Sequence, residues 1–312
     1  MFNKFYYRNF ISLFAMLFLM LLAGCAPKDK DAVEVVKNVS AAYRDAQPKC
    51  LTPVAGGVKV YGDEELQIDV SNAADGYLYI VYQGDNEDVK LQLSNGDSVT
   101  YTYKIFKGDM VVPLTLGAGE YNVVVYEGMG NDMYAARFAE KIDIEEVDEY
   151  GPYLYPNCYV DFDINSAAVA LGKELAQGKS CDLEVIGEVY EYVTKNISYD
   201  YDKAQNVESS YVPDVDEILS QKKGICFDYA ALMASMLRSQ RIPTRLEVGY
   251  AGDAYHAWIT TYVEDEGWIN GIIEFDGIDW TLMDPTFAAN STGKDIEDFI
   301  GDGSNYTTKY IY

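Results

Sequence analysis

The chain has 312 residues, 49% hydrophobic and 24% charged, with 50 acidic against 24 basic side chains and a formal net charge of −26. This balance fits a folded globular protein rather than a disordered one, with room for two domains. Nucleic acid and anionic lipid headgroups are held by clustered Lys and Arg, so the acidic balance excludes nucleic acid as a partner and disfavours electrostatic adhesion to a membrane surface.

Residues 1–24 read as a targeting segment outside the fold. Lys4 and Arg8 give a basic start, an apolar run follows, and it closes with Leu22-Ala23-Gly24-Cys25. The run is short for a membrane span. The pattern resembles a bacterial lipoprotein signal peptide with its lipobox. That resemblance implies lipid attachment at Cys25 and a mature protein tethered to the extracellular face of the cell membrane by acyl chains. Residues 25–49 read as a polar linker containing a short helix.

Between residues 50 and 147 the pattern is β throughout. Strands are predicted at 57–61, 66–70, 77–82, 89–93, 98–106, 110–114, 121–126 and 134–144, from β-branched and aromatic runs such as Tyr77-Leu78-Tyr79-Ile80-Val81-Tyr82. Turn clusters such as Asn95-Gly96-Asp97 and Gly128-Met129-Gly130-Asn131 separate them. So many short strands predict an immunoglobulin-like β-sandwich, a spacer or a module that presents substrate. Many of the 28 tyrosines are expected as strand residues.

Asp148-Glu149-Tyr150-Gly151-Pro152 marks the boundary to a second domain, 148–312. Helices are predicted within 161–178 and over 182–196, where Leu183, Ile186, Val189, Tyr190 and Val193 recur at helical spacing and Asp182 is the expected N-cap. Asp200, Asp202, Asp214 and Asp216 lack the spacing of a calcium loop and read as a solvated loop. A short helical turn is expected at 214–219. Cys226 then opens a helix running to about residue 238. Strands are predicted at 245–250, 257–263, 268–275 and 278–283, then a helix at 294–300 and an edge strand ending at Tyr312.

A cysteine at a helix N-terminus faces unpaired backbone N–H groups and the positive end of the dipole, both of which favour thiolate. His256 is the only histidine of the chain, and Asp284 follows it. Thiol, base and orienting carboxylate in that order are the parts of a nucleophilic site. His256 at the start of one strand and Asp284 at the end of another would share one end of a sheet if those strands were antiparallel neighbours. Gly224 is expected to give a tight approach to the helix and room for a substrate backbone. The five cysteines, Cys25, Cys50, Cys158, Cys181 and Cys226, show no metal-ligand spacing. No metal and no cofactor is expected, and Cys158–Cys181 is a candidate disulfide.

Lys223-Gly224-Ile225-Cys226-Phe227-Asp228-Tyr229-Ala230-Ala231-Leu232, Arg245-Leu246-Glu247-Val248-Gly249-Tyr250, His256-Ala257-Trp258 and Asp284-Pro285-Thr286-Phe287 together resemble the transglutaminase-like superfamily, thiol enzymes with a papain-related core. The resemblance covers about residues 180–290. It implies an α+β catalytic domain in which Cys226 attacks a carboxamide or peptide carbonyl. His256 then acts as base and acid, and Asp284 holds the imidazole. The acyl group passes through a thioester to water or to an amine. The Cys226 backbone N–H is one candidate oxyanion donor and Tyr199 a second. The expected partners are protein or peptide substrates at the cell surface. The alternative is a non-catalytic surface lipoprotein whose β-sandwich binds a polymer or a partner protein.

Overall fold

The computed structural model describes residues 43–264, 266–270, 272–275, 280–283 and 306–312. Cys25 with its leader, Asp284, and the helix expected at 294–300 lie outside the described residues.

The eight predicted N-terminal strands are all present. They are β1 (Val60–Gly62), β2 (Leu66–Asp69), β3 (Tyr77–Tyr82), β4 (Val89–Asn95), β5 (Tyr101–Ile105), β6 (Gly108–Pro113), β7 (Gly119–Gly130) and β8 (Met133–Ile144). They form two antiparallel four-stranded sheets, of order β1-β2-β3-β6 and β5-β4-β7-β8. Alternation decides which side chains go in. Val89, Leu91 and Leu93 of β4, Tyr101, Tyr103 and Ile105 of β5, and Tyr121, Val123 and Val125 of β7 are buried in one core with Leu66, Ile68, Leu78, Ile80 and Tyr82. Each such side chain contributes about 1.5–3 kcal/mol relative to exposure. The β7–β8 hairpin turns through Asn131 and Asp132, both at positive φ (51° and 58°). That backbone matches the twist of the strands, and Asn and Asp tolerate it better than most residues.

The second half is helix on sheet. Helix α1 (Ala167–Ala176), α2 (Asp182–Asn196), the short α3 (Tyr201–Asn206) and α4 (Val215–Gln221) lead to α5 (Cys226–Ser239). Two-residue strands β9 (Ser198–Tyr199) and β10 (Lys223–Gly224) pair in parallel. Helix α2 has the predicted bounds, but its N-cap is Cys181; Asp182 is the first helical residue and pairs with Arg44 instead. Every residue of α5 from Asp228 to Ser239 is buried, as in a helix enclosed on all sides. It packs on strands β11 (Thr244–Ala251) and β12 (Ala254–Val263).

That antiparallel sheet has the order β13-β12-β11-β16, with β13 (Gly267–Asn270) beyond β12 and β16 (Tyr306–Ile311) at the opposite edge, where the final strand was expected. The single strand expected at 268–275 is two strands. β13 pairs with β12, whereas β14 (Ile272–Phe275) pairs with β15 (Trp280–Met283). β12 is therefore flanked by β11 and β13, and the strand ending just before Asp284 is not its neighbour in the sheet.

The described residues fall into one compact unit. Tyr101 of β5 packs edge-on against Tyr310 and Tyr312 (5.2 and 5.6 Å between centroids), and its hydroxyl accepts from the Ile311 N–H at 3.0 Å. Tyr103, Tyr159 and Tyr312 extend this cluster. These tyrosines form a seam between the two halves. Residues 44–49 are bonded to the body as well: Arg44 N–H donates to Lys179 and Lys49 N–H to Ser239, each at 2.8 Å.

Cys50, Cys158, Cys181 and Cys226 are all free thiols. The candidate Cys158–Cys181 bridge is not formed. Cys158 sits beside β6, its N–H bonded to Val111, while Cys181 is exposed at the start of α2.

Candidate active site

Cys226 is the first residue of α5, where the unpaired N–H groups and the dipole of a 14-residue helix converge. What holds this terminus was not legible as motif. Ile225 is the N-cap and has no side-chain acceptor. The carboxylate of Asp228, one turn in, reaches back instead and accepts from the Ile225 N–H at 2.8 Å. Asp228 is fully buried and has two further donors, Lys203 Nζ at 2.6 Å on Oδ2 and the Tyr211 hydroxyl at 2.6 Å on Oδ1. A buried carboxylate is tolerated only when paired and hydrogen-bonded, and here it is both. Burial lifts the Tyr211 phenol far above its ordinary range, and the bond to Asp228 adds to it. Tyr211 therefore stays a neutral donor.

Gly224 has a structural reason that differs from the expected one. A Cβ there would stand 2.7 Å from the Asp228 Cβ and 3.0 Å from its Oδ2. The glycine makes room for the carboxylate that holds the helix start. Its carbonyl accepts from the Asp200 N–H at 2.8 Å, and Asp200 in turn caps α3 through the Lys203 N–H at 2.9 Å. Of the four aspartates read as a solvated loop, three do capping work. Asp200 caps α3, Asp214 accepts from Asp216 and Glu217 at the start of α4, and Asp216 accepts from the Ala168 N–H at 3.1 Å.

His256 is the third residue of β12, opposite Gly249 of β11, and is 7% exposed. Its ring lies parallel to that of Trp258, 6.3 Å away on the same strand face, and Trp258 meets Tyr306 of β16 edge-on at 5.0 Å. Gly249 admits the β16 backbone: a Cβ there would fall 2.0 Å from the Thr307 carbonyl oxygen. Next to His256, Tyr255 is exposed and pairs with Tyr250 (5.5 Å). Burial raises the Tyr255 phenol and Tyr310 adds to it, while Lys309 opposes them. Tyr199, in β9 beside Gly224, has its ring against Tyr201 (5.0 Å) and Tyr229 (6.5 Å).

Sequence reasoning missed Asp228, Lys203 and Tyr211. Asp228 carried a signal, since an acidic residue at the third helical position is where a carboxylate can return to the N-cap N–H. Lys203 and Tyr211 carried none, because only the fold brings them to that carboxylate.

Cys226 thus stands on the first residue of a buried helix that packs on the antiparallel sheet carrying the buried His256, an α+β arrangement. Residues 169–271 match the family model of the transglutaminase-like superfamily. The segment includes Cys226 and His256 and ends before Asp284, and over it the resemblance drawn from the motifs is shown. The UPF0252 protein of Methanocaldococcus jannaschii is 28% identical over 113 residues, which are 30% of this chain and 32% of that protein. The chain thus spans about a third of the length of this curated relative. Among solved structures, a candidate cysteine protease from Cytophaga hutchinsonii aligns over 73% of this chain and 69% of its own, at 16% identity and a TM-score of 0.33. The periplasmic domain of TgpA from Pseudomonas aeruginosa aligns over 76% and 78%, at 15% identity and a TM-score of 0.34.

Proposed function

We propose that the chain is a membrane-anchored extracellular thiol enzyme of transglutaminase-like type, acting on protein or peptide substrates through Cys226, His256 and Asp284. The observation that carries this reading is Cys226 on the first turn of α5, packed on the strand that bears His256. In the proposed reaction the Cys226 sulfur attacks the carbonyl carbon of an amide, and His256 takes up the thiol proton. The tetrahedral oxyanion is met by backbone N–H groups at the helix start. His256 then gives its proton to the leaving amine as the C–N bond breaks, which leaves a thioester on Cys226. Attack by water releases an acid; attack by a second amine forms a new amide. Asp284 is assigned the orientation of the imidazole and the stabilisation of its charged form. The two N-terminal sheets are read as an immunoglobulin-like sandwich, and Cys25 as the site of the lipid.

The test incubates the full chain, wild type and Cys226→Ala, with peptide and amine libraries, and reads product masses. Chain cleavage marks hydrolysis, and loss of ammonia with gain of an amine marks transfer. Either must vanish in Cys226→Ala, and activity retained by that variant would sink the reading. Mass analysis of the N-terminal fragment from membranes tests lipid on Cys25.

A further inference from the structure

Asp228 stands in the first turn of α5 with Cys226, and its carboxylate is fully buried. A carboxylate at a helix start suits the helix dipole. It also offsets the positive potential that favours thiolate on Cys226. The residue that fastens the start of α5 therefore works against the nucleophile unless its charge is balanced.

Among the described residues, Lys203 is the cation paired with it, Nζ to Oδ2 at 2.6 Å. The other two donors, the Ile225 N–H and the Tyr211 hydroxyl, bring no charge. They would still hold the carboxylate ionised if Lys203 lost its cation. Lys203 is itself held in place. Its ammonium lies over the Tyr211 ring, 4.1 Å from the centroid. Its helix, α3, is capped by Asp200, whose N–H donates to the Gly224 carbonyl, two residues before Cys226.

Other groups around this helix start do not replace it. Lys223 of β10 is paired with Asp200 at 2.9 Å. Tyr159, against Phe227 at 5.5 Å, and Tyr255 of β12 are phenols pushed up by burial. His256, also of β12, is the base of the proposed reaction.

We infer that Lys203 is a positioning residue for Cys226: by neutralising Asp228 it lets that carboxylate hold the start of α5 without opposing the thiolate. Its effect on turnover rests on the enzyme reading above; its effect on the thiol does not.

The test measures how fast iodoacetamide labels Cys226 in the full chain at pH 7.5, with mass mapping to separate it from the other thiols. Lys203→Gln keeps an N–H donor and removes the charge, and should slow labelling about tenfold. Lys203→Arg keeps the charge and should label within about twofold of wild type. Asp228→Asn removes the negative charge and keeps an oxygen for the Ile225 N–H. It should label no slower than wild type, alone or combined with Lys203→Gln. At pH 10, above the ordinary thiol value of about 8.5, all the variants should label alike. A mere loosening of the helix start would alter labelling at both pH values and would not be relieved by Asp228→Asn. Wild-type labelling in Lys203→Gln overturns the assignment, as does a Lys203→Arg or double variant as slow as Lys203→Gln. Should Lys203→Gln fail to fold, Asp228→Asn decides: slower labelling than wild type overturns the assignment, and equal or faster labelling supports it. In turnover, Lys203→Gln should lower kcat and leave KM unchanged. Cys226-dependent turnover with labelling indifferent to Lys203 would sink this inference alone. Labelling that follows the charge, with no turnover in the peptide and amine libraries, would sink the enzyme reading alone.

Discussion

At Gly224 the absence of a side chain has an energetic consequence that can be measured. Gly224→Ala drives a methyl to 2.7 Å from the Asp228 Cβ, at a position that is itself buried and is followed by buried Ile225. Overpacking of this kind costs about 1–3 kcal/mol. Urea unfolding should show that loss, and a change under about 0.5 kcal/mol would mean the site relaxes freely. The thiols give a second test at this scale. Cys158 is half-buried, as Cys226 is, but desolvation pushes its thiol far up, with Asp161 acting in the same sense, so it stays protonated at neutral pH. Cys181 is exposed and Cys226 half-buried at a helix start. With iodoacetamide at pH 7.5, mass mapping should find Cys226 labelled fastest, Cys181 next and Cys158 unlabelled until the protein is denatured. Equal labelling of Cys158 and Cys226 would contradict both the packing and the role given to Cys226.

At the scale of elements, Arg238 fastens the far end of α5. It is buried and donates to four backbone acceptor contacts: twice to the Thr244 carbonyl (2.9 and 2.8 Å), once to Tyr155 (2.9 Å) and once to Tyr312 (2.9 Å). Burial pulls its guanidinium down to about 9, still charged at neutral pH. One side chain thus joins α5 to the start of β11, to the connection from the first half and to the residue after β16. Arg238→Met keeps the apolar stem but takes the side-chain donor from the Thr244 and Tyr155 carbonyls, a loss of about 1–3 kcal/mol each, while the Tyr312 carbonyl keeps the Leu246 N–H at 2.9 Å. The variant should lose about 2 kcal/mol or more in chemical denaturation, and a loss below about 1 kcal/mol would show that the carbonyls find other donors. At the start of α3, the Lys203 N–H and then Lys223 hold the Asp200 carboxyl below the usual carboxylate range. This contribution is present above the unfolded value of about 3.9 and is lost as pH falls through the lower folded value. Carbon-detected NMR titration of Asp200 should show its pKa rising in Lys223→Met.

At the scale of the whole molecule, the seam between the two sheets and the helical half decides cooperativity. Tyr101 bonds and packs to the last strand, Thr115 donates to the Ile311 carbonyl at 2.9 Å, and Cys158 N–H donates to Val111. Residues far apart in the chain thus form one contact surface between the halves. Calorimetry of the chain should therefore give one unfolding transition rather than two. Tyr101→Phe removes the bond to Ile311 and should lower the transition by about 1 kcal/mol without splitting it. Two well-separated transitions would mean that the seam is weaker than its contacts imply.

The amino-acid sequence by itself determined the local structure and the chemistry-bearing residues. Alternating β-branched and aromatic runs placed all eight N-terminal strands, because strand periodicity is a property of neighbouring residues. Leu183 to Val193 at helical spacing gave the bounds of α2, and Cys226 was read correctly as the first residue of α5. The transglutaminase-like motifs around Cys226 and His256 were legible for the same reason, since each is contiguous. What is long-range in the chain was decided only by tertiary structure. The run 268–275 changes partner between β12 and β15, which no local pattern records. Asp200 and Asp214 cap the helices that follow them, but Asp216 reaches the start of α1 only because the fold brings the Ala168 N–H to it. Asp228 is tolerable in the core only because Lys203 and Tyr211, on a separate segment, reach it. Propensity and spacing act between neighbours in sequence, whereas desolvation, pairing and packing act between neighbours in space.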